Sequence, residues 1–216
     1  MLVQLLVHSC VFNLLLQVMP VSFLRLNFQA DSVGSVPPGW ETRGPIPPQP
    51  VYKVEAESAG SRYLAARSAG TDVQLGIEVT AQPEYTRSLS WRWRVWELPR
   101  GADERNSKTM DSAASVYAVF GSRLFPRILK YVWSTSVPAG SLFKHPRSGR
   151  VAIMVVNSGS DSIGQWRHVR RNLVEDYQRA FGGKPGNLIA LGVKTDSDST
   201  RSSARADYDD FQLSKE

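Results

Sequence analysis

Three side chains on one stretch, Arg92, Arg94 and Trp96, stand at i, i+2 and i+4 and have the chemistry of a ligand-binding row. Alternate residues of an extended strand share a face, so two guanidiniums and an indole would line up over about 13 Å, the scale of two or three sugar rings. Guanidinium pairs bidentately with carboxylate, sulfate or phosphate, and an indole offers a stacking face. The alternative is that the arginines are neutralised internally by Asp196, Asp198 or Asp209 and serve only structure.

A second constellation is Asp196, Asp198 and Thr200, oxygen-bearing residues at positions one, three and five, with Asp209 or Asp210 available from the last strand. That spacing suits a structural calcium site. It is not an EF-hand, because Arg201 stands where the loop needs glycine and no Glu occupies the twelfth position. The competing reading has Asp196 and Asp198 capping a turn and pairing with arginines.

Other chemistry finds little support. Gly159-Ser160-Asp161-Ser162-Ile163-Gly164 is one residue out of register for a nucleophile elbow. Outside the N-terminal apolar segment the histidines are His145 and His168 and there is no thiol, which argues against zinc. Phosphate loops, dinucleotide fingerprints and the βα alternation that would frame them are missing. Asp103, Glu104, Asp111, Asp196 and Asp209 could supply a carboxylate pair for glycoside hydrolysis, but such a pair is defined by separation in space.

The row belongs to Ser88-Leu89-Ser90-Trp91-Arg92-Trp93-Arg94-Val95-Trp96-Glu97-Leu98, where Leu89, Trp91, Trp93 and Val95 make the opposite, apolar face. Two inward tryptophans bury so much area that a second sheet about 10 Å away must cover them. Further strands are expected at 23–28, 51–55, 63–67, 73–79, 113–120, 128–133, 151–157, 188–194 and 204–213, with Gly, Pro and Ser turns between them. Val151 to Val156 has the continuous apolar character of a strand buried on both faces. One helix is predicted from Asn172 to Phe181, capped by Asn172 with Glu175 three residues on and ended by Gly182-Gly183. The polar stretch 99–112 is long for a loop and so either functional or mobile. The expectation is an all-β chain: a single β-sandwich of jelly-roll, galactose-binding-like type over residues 23–216, with one short helix near the C-terminal third.

The 216 residues suffice for one such core. The net charge of +6 comes from 19 Arg and 7 Lys against 20 acidic residues. The densest basic group is Arg167, Arg170 and Arg171, too sparse for a nucleic-acid patch, so no nucleic-acid partner is expected. Cys10, the only cysteine, excludes an intramolecular disulfide. It lies in an apolar segment, residues 1–22, that lacks a positive n-region and is interrupted by His8, Asn13 and Gln17. This segment reads as a degenerate export signal, a misplaced start or a membrane anchor. No other transmembrane candidate occurs.

Several stretches together resemble a bacterial family, domain of unknown function 3047. They are Val36-Pro37-Pro38-Gly39-Trp40, Leu89 to Val95, Ala113 to Phe120, Tyr131-Val132-Trp133, Arg171 to Tyr177, Phe181-Gly182, Thr195 to Thr200 and Tyr208-Asp209-Asp210-Phe211. The resemblance covers about residues 24–213 and implies a fold and a location in the cell envelope rather than a chemistry. This chain departs from the family pattern at Ser112 and Ser115, where a second acidic residue and an arginine are usual, and at Ser199, where Asn is frequent. A polar site shared by the long loop and the closing turn would be weakened by these changes. The closing Tyr-Asp-Asp-Phe-x-Leu strand is also similar to the last strand of carbohydrate-binding jelly rolls, an analogy of fold.

Three functions are therefore expected in order. The first is a non-catalytic periplasmic or secreted module binding a polysaccharide or acidic envelope polymer through Arg92, Arg94 and Trp96, with no cofactor beyond a structural calcium. The second is a polysaccharide lyase or hydrolase, which would gather two carboxylates or a Tyr–Arg pair in one cleft. The third is a purely structural envelope protein.

Overall fold

The computed structural model describes residues 23–42 and 51–215. The apolar segment with Cys10 and the proline-rich connection at 44–50 lie outside the described residues.

The strands are β1 (Phe23–Leu26), β2 (Glu41–Thr42), β3 (Tyr52–Ala56), β4 (Arg62–Ala69), β5 (Gln74–Ala81), β6 (Ser88–Glu97) and β7 (Ala114–Gly121). They continue as β8 (Pro126–Ser134), β9 (Leu142–His145), β10 (Ser148–Ser158), β11 (Arg167–Asn172), β12 (Leu188–Lys194) and β13 (Ser203–Ser214), with α1 (Leu173–Phe181) between β11 and β12. They form a β-sandwich of the expected class. One sheet runs β11-β6-β13-β4-β3, with β1 also paired to β13; the other runs β2-β5-β12-β7-β8-β10-β9. Pairing is antiparallel except between β8 and β10.

The alternation of β6 is realised as its sequence requires. Leu89, Trp91, Trp93 and Val95 are buried in the core. Trp91 meets Tyr131 of the facing sheet at 5.3 Å between centroids, and Trp93 meets Trp133 at 6.2 Å. The Trp93 indole N–H donates to Asn157 at 2.9 Å, so the polar end of a fully buried ring is satisfied. Trp40 closes one end between Phe28 and Phe211, 5.9 Å from each.

Helix α1 closes another part of the core, with Tyr177 against Phe120 at 5.3 Å. Asn172 caps it by accepting from the backbone of Val174 and Glu175, and Gly182 ends it at φ 71°. Asp176 does more than complement the helix dipole: it is buried, and accepts from Tyr131 at 3.0 Å and from both ends of the Arg171 guanidinium. Two-sided burial of β10 also holds, since Ile153 and Val155 form a small second cluster with Val132 and Val137. Three strands were not legible in the sequence: β2, β9 and β11, all at or near a sheet edge and poor in alternating apolar residues.

Candidate functional site

The outer face of the β6 sheet carries the predicted row, and the pairing of β6 with β13 decides its chemistry. Arg94 lies opposite Asp207, and Arg92 opposite Asp209. Arg94 Nε donates to Asp207 at 2.9 Å, and its other nitrogens reach Asp207 at 2.8 Å and Glu57 at 3.0 Å. Arg92 pairs with Asp209 at 2.7 Å and with Asp210 at 3.1 Å. Strict alternation would send Asp209 and Asp210 to opposite faces. A β-bulge prevents this: the register shifts between Asp209 and Gln212, and Asp210 takes φ 53°. Tyr208 and Phe211 both point into the core, and two carboxylates between them converge on one arginine.

Above the arginines lies Trp166, from the β10–β11 connection. Its ring is 4.5 Å from the Arg92 guanidinium carbon and 4.4 Å from that of Arg94, and its N–H donates to Glu57 at 3.0 Å. Trp96 stacks on the same Arg94 at 4.6 Å and donates to Asp207 at 2.6 Å. Arg205 lies 5.2 Å from Trp96, and Tyr63 stands edge-on to Trp166 at 5.8 Å. Gly164 makes the loop's approach feasible. Its φ is 77°, its N–H donates to Val95, and a Cβ there would sit 3.4 Å from the Trp96 ring.

Burial sets the electrostatics. It pushes the carboxyls of Asp207 and Asp209 above their ordinary range, opposed by the hydrogen bonds of Trp96 and Arg94 in the first case and Arg92 in the second. Glu57 is held below the usual carboxylate range by the Trp166 N–H. Arg94 is 9% exposed and Trp96 38% exposed. The outward face is thus covered, by Trp166 and not by the closing turn, and the accessible chemistry is aromatic. Beside it a groove of about 330 Å³ is lined by Ser90, His168, Arg170, Asp210 and Gln212 among others.

The second predicted constellation is divided by the structure. Asp196 and Asp198 do come together, and the third carboxylate within 4.8 Å of them is Asp111 from the long loop. Asp209 is elsewhere, bound to Arg92 on the outer face of the other sheet, so it is no ligand of this cluster. Nor, among the described residues, do Asp196 and Asp198 pair with arginines. Lys194 is the cation here, in contact with Asp196 and 2.5 Å from Asp72. Asp111 accepts from the backbone of Ser199 and Thr200 and from the Thr200 hydroxyl, which occupies Thr200 in capping the turn. Burial pushes Asp196 up to about 6 against the pull of Lys194 and Lys130. Burial pushes Asp111 up, but its hydrogen bonds from Thr200, with those of Asp196 and Ser199, together hold it below its usual value.

The long loop is therefore pinned. Glu104, fully buried, accepts from Ser112 at 3.1 Å and Ser134 at 2.5 Å, and Lys130 donates to Ser112 at 3.3 Å. His145 lies in β9, where burial and the nearby Lys130, Lys194 and Arg147 lower its pKa to about 4. His168 is exposed on β11. Sequence reasoning missed Glu57, Tyr63, Trp166 and Asp207. Only Asp207 had a signal, since it shares its face of β13 with Asp209.

A family model for proteins of unknown function, DUF3047, matches residues 39–212. The chain belongs to this family. No curated protein matches this DUF3047 chain. Among solved structures it is similar to the K2 cleaved adhesin domain of Lys-gingipain, with 11% identity over 89% of this chain and 97% of that one, at a TM-score of 0.46. A xyloglucanase domain from a type three effector of Sinorhizobium fredii, in complex with cellobiose, matches with 10% identity over 83% and 95%, at 0.44. A carbohydrate-binding module of Clostridium stercorarium, also with cellobiose, matches with 12% identity over 90% and 95%, at 0.37. Among the described residues no helix is long and apolar enough to cross a membrane.

Proposed function

We propose that this chain is a non-catalytic envelope or secreted module that holds a neutral saccharide on the outer face of the β6 sheet, through Trp96 and Trp166. The observation that carries this reading is the stacking of both indoles on one guanidinium, Arg94, at 4.6 and 4.4 Å. Each ring is further held by its N–H, bonded to Asp207 or Glu57. A surface aromatic fixed in this way loses little freedom when a sugar ring stacks on it. Glu57 offers hydrogen-bonding oxygens beside the rings. Arg92 and Arg94 build the platform and do not themselves grip the ligand.

Charge favours a neutral ligand over an acidic polymer. Around the row four guanidiniums, Arg25, Arg92, Arg94 and Arg205, stand against four carboxylates, Glu57, Asp207, Asp209 and Asp210. The charges balance, which leaves no excess cation to hold a polyanion. Location outside the cytoplasm rests on the apolar segment at residues 1–22.

A hydrolase or lyase would need carboxylates free to act on substrate. Tyr63, Arg94 and two carboxylates do gather here, but Asp207, Asp209 and Asp210 are each engaged by an arginine and Glu57 by Arg94 and Trp166. The test is affinity electrophoresis in gels containing neutral or carboxylated polysaccharides. The native protein should be retarded by a neutral polymer, and Trp166→Ala should run freely. Retardation by the carboxylated polymers alone would refute the proposal.

A further inference from the structure

The tip of the β7–β8 hairpin carries two adjacent apolar side chains that no packing explains. Leu124 is 79% exposed and Phe125 68% exposed, whereas the other exposed large hydrophobics, Val33 and Trp96, lie apart from them in the chain. Such exposure on neighbouring residues of a tight turn means that the tip projects from the body. Exposed paired apolar side chains mark an interaction surface.

The surroundings of the tip indicate what it meets. Arg123 and Arg127 flank it in sequence, and Arg150 reaches it from β10, stacking on Phe125 at 5.4 Å and donating to the Leu124 carbonyl at 3.4 Å. Beside them, Arg127 stacks on Phe181 at 5.3 Å and Lys144 on the same ring at 3.8 Å. These cations are crowded: burial and the neighbouring Arg127 both lower the proton affinity of Lys144. The Asn187 end of the connection after α1 lies alongside, accepting the Gly121 N–H. Among the described residues the one acidic contact is Glu78 with Arg123, an ion pair between two highly exposed side chains that is worth little in water. Among the described residues no carboxylate pairs with Arg127, Lys144 or Arg150.

We infer that this end of the sandwich docks on an anionic lipid surface, with Leu124 and Phe125 entering the headgroup region and the surrounding arginines and lysine meeting lipid phosphates. A projecting apolar pair ringed by long cationic side chains fits that interface. The apolar parts leave water, the guanidiniums stay at phosphate level, and each basic residue adds attraction to a negative leaflet. A protein partner would instead call for a broad face, and the tip offers two side chains. The site lies on the opposite sheet from the Trp96 platform and is independent of saccharide binding.

Sedimentation of the full chain with vesicles tests this. The native protein should pellet with equimolar phosphatidylglycerol and phosphatidylcholine vesicles and stay soluble with phosphatidylcholine alone, and added salt should release it. Leu124→Ser with Phe125→Ser should reduce the bound fraction about ten-fold or more with an unchanged melting curve, since both side chains are already in water. Arg123→Ala with Arg150→Ala should weaken binding to the anionic vesicles. Equal sedimentation of native and Leu124→Ser/Phe125→Ser chains would overturn the proposal, as would no binding to anionic vesicles. A self-associated native protein, dispersed by the same double substitution in light scattering, would also overturn it by assigning the tip to a second copy.

Discussion

Arg94 and Asp207 form the pivot of the outer face: the guanidinium reaches the carboxylate at 2.9 and 2.8 Å across the β6–β13 pair, and it simultaneously underlies two tryptophans. Asp207 is completely buried. Removing its partner leaves a buried charge with only the Trp96 N–H and the charge of Arg205 to offset it, and breaking buried pairs in this way typically costs about 3–5 kcal/mol. Arg94→Ala should therefore lower the melting temperature sharply, and Arg92→Ala, which leaves two aspartates facing each other, should do likewise. Chemical denaturation of the two variants checks this. A stability within about 0.5 kcal/mol of native, the usual range for surface substitutions, would show the arginines to be free.

Trp93→Ala tests the other face of the same strand. The ring is wholly buried against Trp91 and Trp133. Truncating such a side chain costs about 3–5 kcal/mol, so urea unfolding should show a large fall in midpoint. An unchanged midpoint would remove the strand's alternation from the account.

The alternation of β6 was readable because one face is apolar without exception, and the sandwich, the helix and its caps followed from patterns equally local. The platform was not. Trp166 reaches Arg92 and Arg94 through a long connection whose path depends on Gly164 passing Trp96, and nothing in the spacing of either residue announces that contact. The bulge at Asp210 was hidden for a related reason, since Tyr-Asp-Asp-Phe reads as simple alternation until the positive φ is seen. In the Asp196 cluster the structure groups Asp196 and Asp198 with Asp111 and not with Asp209, which is nearer in sequence but is carried by β13 to Arg92 on the opposite sheet.

Asp196 gives a pH signature. Its folded pKa of about 6 lies above its ordinary value because burial disfavours the carboxylate. Between the ordinary carboxylate range and about 6 the folded state holds the extra proton, so this group's contribution to stability falls as pH rises through that window. The stability advantage of the native chain over Asp196→Asn should therefore shrink from pH 4 to pH 7, measured by denaturation across the range. An advantage that grew with pH would mean that the Lys194 pair lowers the folded pKa instead.

Calcium titration decides which charge neutralises Asp111, Asp196 and Asp198. Lys194 already stands among them, so calcium should raise the melting temperature no more than magnesium at equal ionic strength. A rise specific to calcium, reversed by chelator, would show that metal joins the lysine.

The most direct measurement of the central claim is the affinity of native, Trp96→Ala and Trp166→Ala proteins for soluble oligosaccharides, by calorimetry at low and high salt, with folding of each variant confirmed by circular dichroism. The account predicts binding of a neutral oligosaccharide that salt leaves unchanged and that either substitution weakens at least ten-fold. Binding confined to acidic oligosaccharides, lost on adding salt and retained by folded Trp96→Ala and Trp166→Ala, would contradict it.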